Sequence, residues 1–241
     1  MGNKSHFFRQ ALNLFPLELN PVVYINASKG VNVDSLNNIQ SVNDLSGNNY
    51  NFTPNVNIQV LQSGINNKPS FDFFSGFAQL ANEDTITQIT DLSQRFIWCV
   101  FQITVADSGK NYHQPFIHGT TSTTIVGSNF AQMFNSNNSN SFSTNYANNS
   151  LDDSIASSQL IKHYSILNKT STQVEYILNG LTSVKSGAYN INNKNIYLSG
   201  IPGNVFAGGK MLIAEFGILN YTPTAQQIQD LKNYFQTRYD I

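Results

Sequence analysis

Cysteine is all but missing: Cys99 is the only one in 241 residues, so no intrachain disulfide can form and one chain cannot build a thiolate metal cluster. Charge is scarce too. Asp, Glu, Lys and Arg make up 11% of the chain and the net charge is −1, which leaves a nucleic-acid backbone or an anionic membrane without a basic footprint to meet. The longest apolar run, Phe96 to Phe101, is far short of the roughly 20 residues that cross a bilayer. The opening "MGNKSHFFRQALNLF" holds no continuous signal-peptide core, so the expectation is a soluble chain made in the cytosol. Sequons such as those at Asn51 and Asn168 are then expected to stay unmodified.

What is abundant is asparagine, with serine, isoleucine and tyrosine. An AT-rich coding genome and a polar binding surface both account for that bias. The length fits one all-β domain with a substantial core. Residues 1–15 stand apart, cut off by Pro16 and Pro21. Phe8, Leu12 and Phe15 recur at i, i+4 and i+7, the spacing of one helical face, with Phe7 beside them. So apolar an arm wants a partner: its own domain, a sister subunit or another protein.

From Pro21 onward short strands alternate with turns. "PVVYINAS" reads as a strand, and Asp44, Ser46, Gly47 and Asn48 as a tight turn. "KPSFDFF" alternates as a strand does. "RFIWCVFQITV" (95–105) is apolar on both faces in its first half, which predicts a central strand with Trp98 in the core rather than under a sugar. "TQVEYILNGLTSVKSG" predicts a hairpin turning at Asn179-Gly180. "KNIYLSG" and "GKMLIAEFGILN" supply two more strands. The final segment predicts the one helix, capped by Thr222 or Thr224, with Pro223 in its first turn and Ile228, Leu231 and Phe235 on one face. Regular strands with one terminal amphipathic helix predict an all-β, antiparallel β-sandwich.

The order of "LELNPVVYINAS", "VNDLSGNNYNFT", "INNKPSFDFFSGF", "VEYILNG" and the exit "GGKMLIAEFGILNYTPTAQQIQDLKNYFQTRYDI" resembles the concanavalin A-like lectin/glucanase jelly roll. More narrowly, it resembles the laminin-G-like domains of tailed-phage virion proteins. The resemblance spans residues 16–241 and implies a lectin-type sandwich behind an attachment or oligomerisation arm, residues 1–15. Such sandwiches host lectins, glycosidases and scaffolds, so the resemblance carries a fold further than a function.

Chemistry is thinly represented. Glycoside hydrolysis takes two carboxylates about 5–5.5 Å apart for retention, and the glucanase branch draws them from a closely spaced Glu-Asp-Glu motif. The glutamates here are Glu18, Glu83, Glu175 and Glu215, none spaced that way. Glu215, at the resemblance's Ala-Glu position, reads as an inward acid bonded to neighbouring backbone. Glu83-Asp84 and Asp152-Asp153 lack the dense spacing of a Ca2+ loop and read as solvated turns. His113 and His118, five apart, fall on opposite faces of one extended strand. No Gly-x-Ser-x-Gly elbow is present, and Cys99 reads as a buried, inert thiol. No cofactor and no metal are expected, and the chain reads as not an enzyme.

"SNFAQMFNSNNSNSFSTNYANNS" (128–150) reads as two strands, "NFAQMFN" and "SFSTNYANN", joined by "SNNSN". In related lectins amides bond sugar hydroxyls and an aromatic stacks on the ring. Tyr112, Asn137, Asn138, Asn145 and Tyr146 are the candidate glycan-binding groups, and ordinary polar exterior positions are the alternative. The combined expectation is a virion structural protein, a head-fibre, capsid-decoration or tail-fibre subunit, displayed on the particle surface after synthesis in the host cytoplasm. It would be a homo-oligomer, as a trimer, contacting other virion proteins through Phe7, Phe8, Leu12 and Phe15 and host glycans through its loops. A soluble glycan-degrading enzyme of the glucanase class is the alternative.

Overall fold

The computed structural model describes residues 15–73, 80–82, 86, 94–104, 112–113, 115–118, 130–135, 141–146, 149–156, 162–186, 196–199 and 211–241. Among them are the strands β1 (Val23–Asn26), β2 (Val31–Val33), β3 (Ile39–Val42), β4 (Thr53–Pro54), β5 (Gln59–Leu61), β6 (Ser70–Phe73), β7 (Leu80–Asn82), β8 (Arg95–Ile103) and β9 (Tyr112–His113). They continue with β10 (Phe116–His118), β11 (Phe130–Asn135), β12 (Ser141–Tyr146), β13 (Asn149–Ala156), β14 (Lys162–Lys169), β15 (Gln173–Leu178), β16 (Leu181–Ser186), β17 (Ile196–Leu198) and β18 (Met211–Leu219). One helix, α1 (Ala225–Tyr239), follows.

The strands form two large antiparallel sheets and a small β2–β3 hairpin. The first sheet runs β16-β15-β14-β8-β18-β6-β5, with β1 sharing the β18 edge with β6; the second runs β13-β12-β11-β10-β17-β7-β4, with β9 also on β11. Facing side chains of the two sheets make one core, in which Phe71, Ile97, Phe101 and Phe216 of the first meet Phe116, Ile196 and Leu198 of the second. This is the expected antiparallel β-sandwich with a C-terminal helix.

β8 explains why its sequence is apolar on both faces. Ile97, Cys99, Phe101 and Ile103 enter the inter-sheet core, while Phe96, Trp98 and Val100 face a second core beneath α1. Pairing with β14 and β18 on either side makes β8 central. Alternating strand residues point to opposite faces, so a strand covered on both sides reads as one continuous apolar run.

The helix earns its place by its ends and one face. Gln227 N donates to Thr224 Oγ1 at 3.2 Å and Thr224 N to Gln227 Oε1 at 2.9 Å, a reciprocal cap that satisfies two otherwise orphaned donors. Pro223 stands one residue before this cap rather than within the first turn, because Thr224 and not Thr222 starts the helix. Leu231, Tyr234, Phe235 and Tyr239 are buried against the sheet, and Ile228 packs at the margin.

Elsewhere the turns follow their residue chemistry. Asn179 and Gly180 both take positive φ, 47° and 85°, as the tight turn between β15 and β16 requires. Asp44 accepts from the backbone N–H groups of Tyr24, Ser46 and Tyr50, which fastens its loop to β1. Two expectations are corrected. Asp152 and Asp153 lie in strand β13, where the pairing with β12 slips between Phe142 and Thr144, not in a solvated turn; a bulge absorbs the extra residues that looked turn-like. His113 and His118 belong to two short strands rather than one. They pair opposite Phe134 and Phe130 of β11, positions four apart and therefore in the same register row.

Gly217 is the point of closest approach within the second core. It pairs with Trp98, and a Cβ placed there would come within 2.1 Å of Trp98 Cζ2. Trp98 is fully buried and has no room to retreat. Gly217→Ala is expected to destabilise the domain by about 3 kcal/mol, the upper range for overpacking a closed core, measured by urea denaturation followed through the fluorescence of the single tryptophan.

Candidate functional site

Strand β18 contains a register shift between Ile213 and Glu215. A bulge of this kind re-aims the side chain beside it, and here both Ala214 and Glu215 fall on the helix side of the sheet. Glu215 is fully buried. Its Oε2 accepts from Asn26 Nδ2 at 2.9 Å, Tyr234 Oη at 2.9 Å, Tyr239 Oη at 2.9 Å and Tyr24 Oη at 3.3 Å. Its Oε1 has no hydrogen-bond partner among the described residues. The expected backbone partners are absent because β18 is paired with β1 on one side and β8 on the other, so its neighbours' peptide groups are already engaged. Side chains supply the donors instead.

The donors to this carboxyl are themselves held by further bonds. Asn26 Nδ2 also donates to Tyr24 Oη at 3.0 Å, and Arg238 Nε to Tyr239 Oη at 3.1 Å. The guanidinium lies 5.5 Å from the Tyr239 ring centre and 6.0 Å from that of Tyr234, within cation–π range. Burial pushes the Glu215 carboxyl above its ordinary value, and the Arg238 charge and the three phenols oppose that rise without cancelling it. Burial, reinforced by the neighbouring carboxyl, likewise raises the phenols of Tyr24, Tyr234 and Tyr239. The same two causes raise the thiol of Cys99, which is fully buried as expected. An acid sealed in this way can hold elements together, but it cannot reach a polysaccharide.

Beside the cluster a small pocket opens among Phe15, Leu17, Asn26, Lys29, Leu45 and Arg238, with an interior of about 20 Å3, room for one water-sized group. Phe15 packs on Tyr234 with ring centres 5.6 Å apart. The last residue of the predicted arm therefore lies against this domain. Phe7, Phe8 and Leu12 lie outside the described residues.

The candidate glycan groups are only partly brought together. Asn137 and Asn138 lie outside the described residues, as do Glu83 and Asp84. Tyr112 pairs with Asn135, Asn145 with Ala131 and Ser150, and Tyr146 with Phe130 and Asn149. Ala131 and Asn135 are four apart on β11, an offset of about 13 Å along the strand, so Tyr112 and Asn145 share one register parity and Tyr146 has the other. Ile117 and Tyr197 continue the Tyr112–Asn145 row. Ile196 and Leu198, on either side of Tyr197, belong to the inter-sheet core. Among the described residues no group of three or more His, Cys, Asp or Glu side chains is placed to hold a metal.

Sequence reasoning picked out Glu215 but missed Tyr24, Asn26, Tyr234, Tyr239 and Arg238. Their one local signal is the tyrosine-rich C-terminal end; that four donors from two elements meet one oxygen is set only by packing.

No family model matches the sequence, and no curated protein matches it. Solved structures do resemble the fold. A Trypanosoma rangeli sialidase in complex with sialic acid matches with a TM-score of 0.66 at 11% identity over 90% of this chain and 33% of its own. A botulinum neurotoxin type C structure, whose uptake into cells depends on interaction with two ganglioside molecules, matches with a TM-score of 0.65 at 13% identity over 91% of this chain and 52% of its own. The binding domain of botulinum neurotoxin DC, in complex with rat synaptotagmin II, also has a TM-score of 0.65, at 14% identity over 91% and 52%. The chain thus spans between about a third and a half of these proteins, and the likeness is one of fold.

The raised carboxyl gives the cluster a pH signature. A group whose folded pKa lies above its unfolded value adds stability that is complete below the unfolded value and is lost as pH rises through the folded one. Relative to Glu215→Gln, which does not titrate, the wild-type protein is expected to lose stability as pH rises above 4.5, the ordinary value for this carboxyl, levelling off once the folded pKa is passed. Paired thermal melts from pH 4 to pH 9 measure it; parallel curves would refute it.

Proposed function

We propose that this chain is a non-enzymatic, glycan-binding surface protein, and that it serves as a head-fibre, capsid-decoration or tail-fibre subunit of a phage particle. One observation carries the glycan-binding part: α1 covers the helix-side face of the first sheet over Phe96, Trp98 and Val100, which directs an extended ligand to the second sheet and its loops. Strand β12, with Ser141, Ser143, Thr144 and Asn145, is in that sheet, beside Gln132 and Asn135 of β11. Neutral amides and hydroxyls suit sugar hydroxyls, and a chain with so little charge has few other means of recognition. The botulinum neurotoxin fold relative that interacts with gangliosides supports the same use of a similar sandwich.

The particle role rests on the order of motifs described above and on the apolar arm. In this reading the protein stands on the virion surface as a homotrimer, with residues 1–15 contacting sister subunits or other virion proteins. A glycan-degrading enzyme is the second reading, favoured by the likeness to a sialidase. Glu215 does not serve it while buried under three tyrosines.

Light scattering on the full chain and on a version beginning at Phe15, which keeps the Tyr234 contact, is expected to give a trimer and a monomer respectively; equal masses would remove the arm from assembly. On a glycan array the full chain is expected to retain at least one glycan without cleaving it. Asn145→Ala should then weaken that binding by about tenfold, the worth of a lost hydrogen-bonding side chain. Hydrolysis of an arrayed glycan would instead establish the enzyme.

A further inference from the structure

The segment that enters the domain, Phe15 to Leu19, is fastened to α1 at one end and to the residues leading into it at the other. The Phe15 ring packs on Tyr234 in the later half of the helix, with centres 5.6 Å apart. Tyr221 Oη, just ahead of the Thr224 cap, donates to Leu19 O at 2.8 Å. Between these points the backbone closes a single 3-10 turn, in which Leu19 N donates to Pro16 O at 3.0 Å and Asn20 N to Leu17 O at 2.9 Å. Leu19 is buried in the core beneath α1, and Phe15 and Leu17 pack against that core.

This segment stands at the approach to the buried acid. Phe15 and Leu17 line the small pocket together with Tyr24, Asn26 and Tyr234, and each of those three donates to Glu215 Oε2. Removing the Phe15 ring widens a recess that otherwise has room for one water-sized group. The ionisable groups facing the carboxyl are Tyr24 from β1 and Tyr234, Arg238 and Tyr239 from α1, with Lys29 at the pocket rim. Cys99 of β8 turns to the inter-sheet core, Asp72 of β6 pairs with Leu212 further along β18, and Lys162 of β14 meets Asp240 at the helix end. Glu18, the one ionisable side chain of the segment, is exposed. The segment therefore acts on the acid by excluding water and not by charge. We propose that residues 15–19 are a strap over the Glu215 joint: seated, they keep water from the carboxyl and hold α1 down; lifted, they admit water and loosen the helix. The strap stands on these contacts and is independent of the particle reading.

Thermal melts of the full chain from pH 4 to pH 9 test this, with Phe15→Ala and Tyr221→Phe each made alone and together with Glu215→Gln. In the intact chain the gap between wild type and Glu215→Gln changes with pH, as derived above. Phe15→Ala is expected to lower the melting temperature and to flatten that change, because a hydrated carboxyl returns towards its ordinary value. Tyr221→Phe, which frees Leu19 but leaves the pocket lining in place, should flatten it less. Hydrogen exchange in α1 should rise several-fold in both variants while β8 and β14 keep their protection. Melts lowered equally at every pH, or exchange that rises evenly across the domain, reduce the segment to ordinary packing and overturn the strap. A gap already flat in the intact chain leaves nothing to seal and overturns it too. Should Phe15→Ala not fold, Tyr221→Phe decides alone: an unchanged pH profile with unchanged α1 exchange overturns the strap.

Discussion

One carboxylate oxygen ties three elements of this molecule together. Oε2 of Glu215, on β18, collects a phenol and an amide from β1 and two phenols from α1. Taking a carboxyl out of water is costly, and hydrogen bonds to a charged acceptor are worth about 1.5–3 kcal/mol each. Here desolvation still prevails, as the raised pKa shows, so the cluster is tightest when the acid is neutral. What the arrangement secures is geometry: Tyr234 and Tyr239 of α1 meet the same oxygen as Tyr24 and Asn26 of β1, which ties the helix to the first sheet.

The rest of the fold follows from that docking. With α1 in place, Phe96, Trp98 and Val100 gain a second core, and β8 becomes a strand buried on both faces. Trp98 can lie this close to β18 only because residue 217 is glycine. The inter-sheet core then forms independently on the other face, from Phe71, Phe101, Phe116 and Phe216. The Phe116–Phe216 ring pair, 5.4 Å apart, joins the two sheets across it.

That packing also apportions the surface. The helix occupies the outer side of the first sheet over Phe96, Trp98 and Val100, so that face is closed to an extended ligand.

Local pattern was enough for several of the elements, although β14, which flanks β8 along its length, was not among them. The double-sided apolar run predicted a central β8, Asn179-Gly180 its hairpin, alternation in 70–73 its inward phenylalanines, and Ile228, Leu231 and Phe235 the buried side of α1, because period and turn chemistry act over a few residues. The partners of Glu215 were not legible, since they come from residues 24, 26, 234 and 239 and meet only when β1 and α1 flank β18. Nor was the row that separates Tyr146 from Tyr112 and Asn145, because register depends on which strand lies next door. Sequence by itself determined a β-sandwich with a terminal helix, through hydrophobic period and turn residues. Tertiary structure alone decided that an acid at the resemblance's Ala-Glu position is a buried clamp, because a one-residue bulge turned it towards the helix.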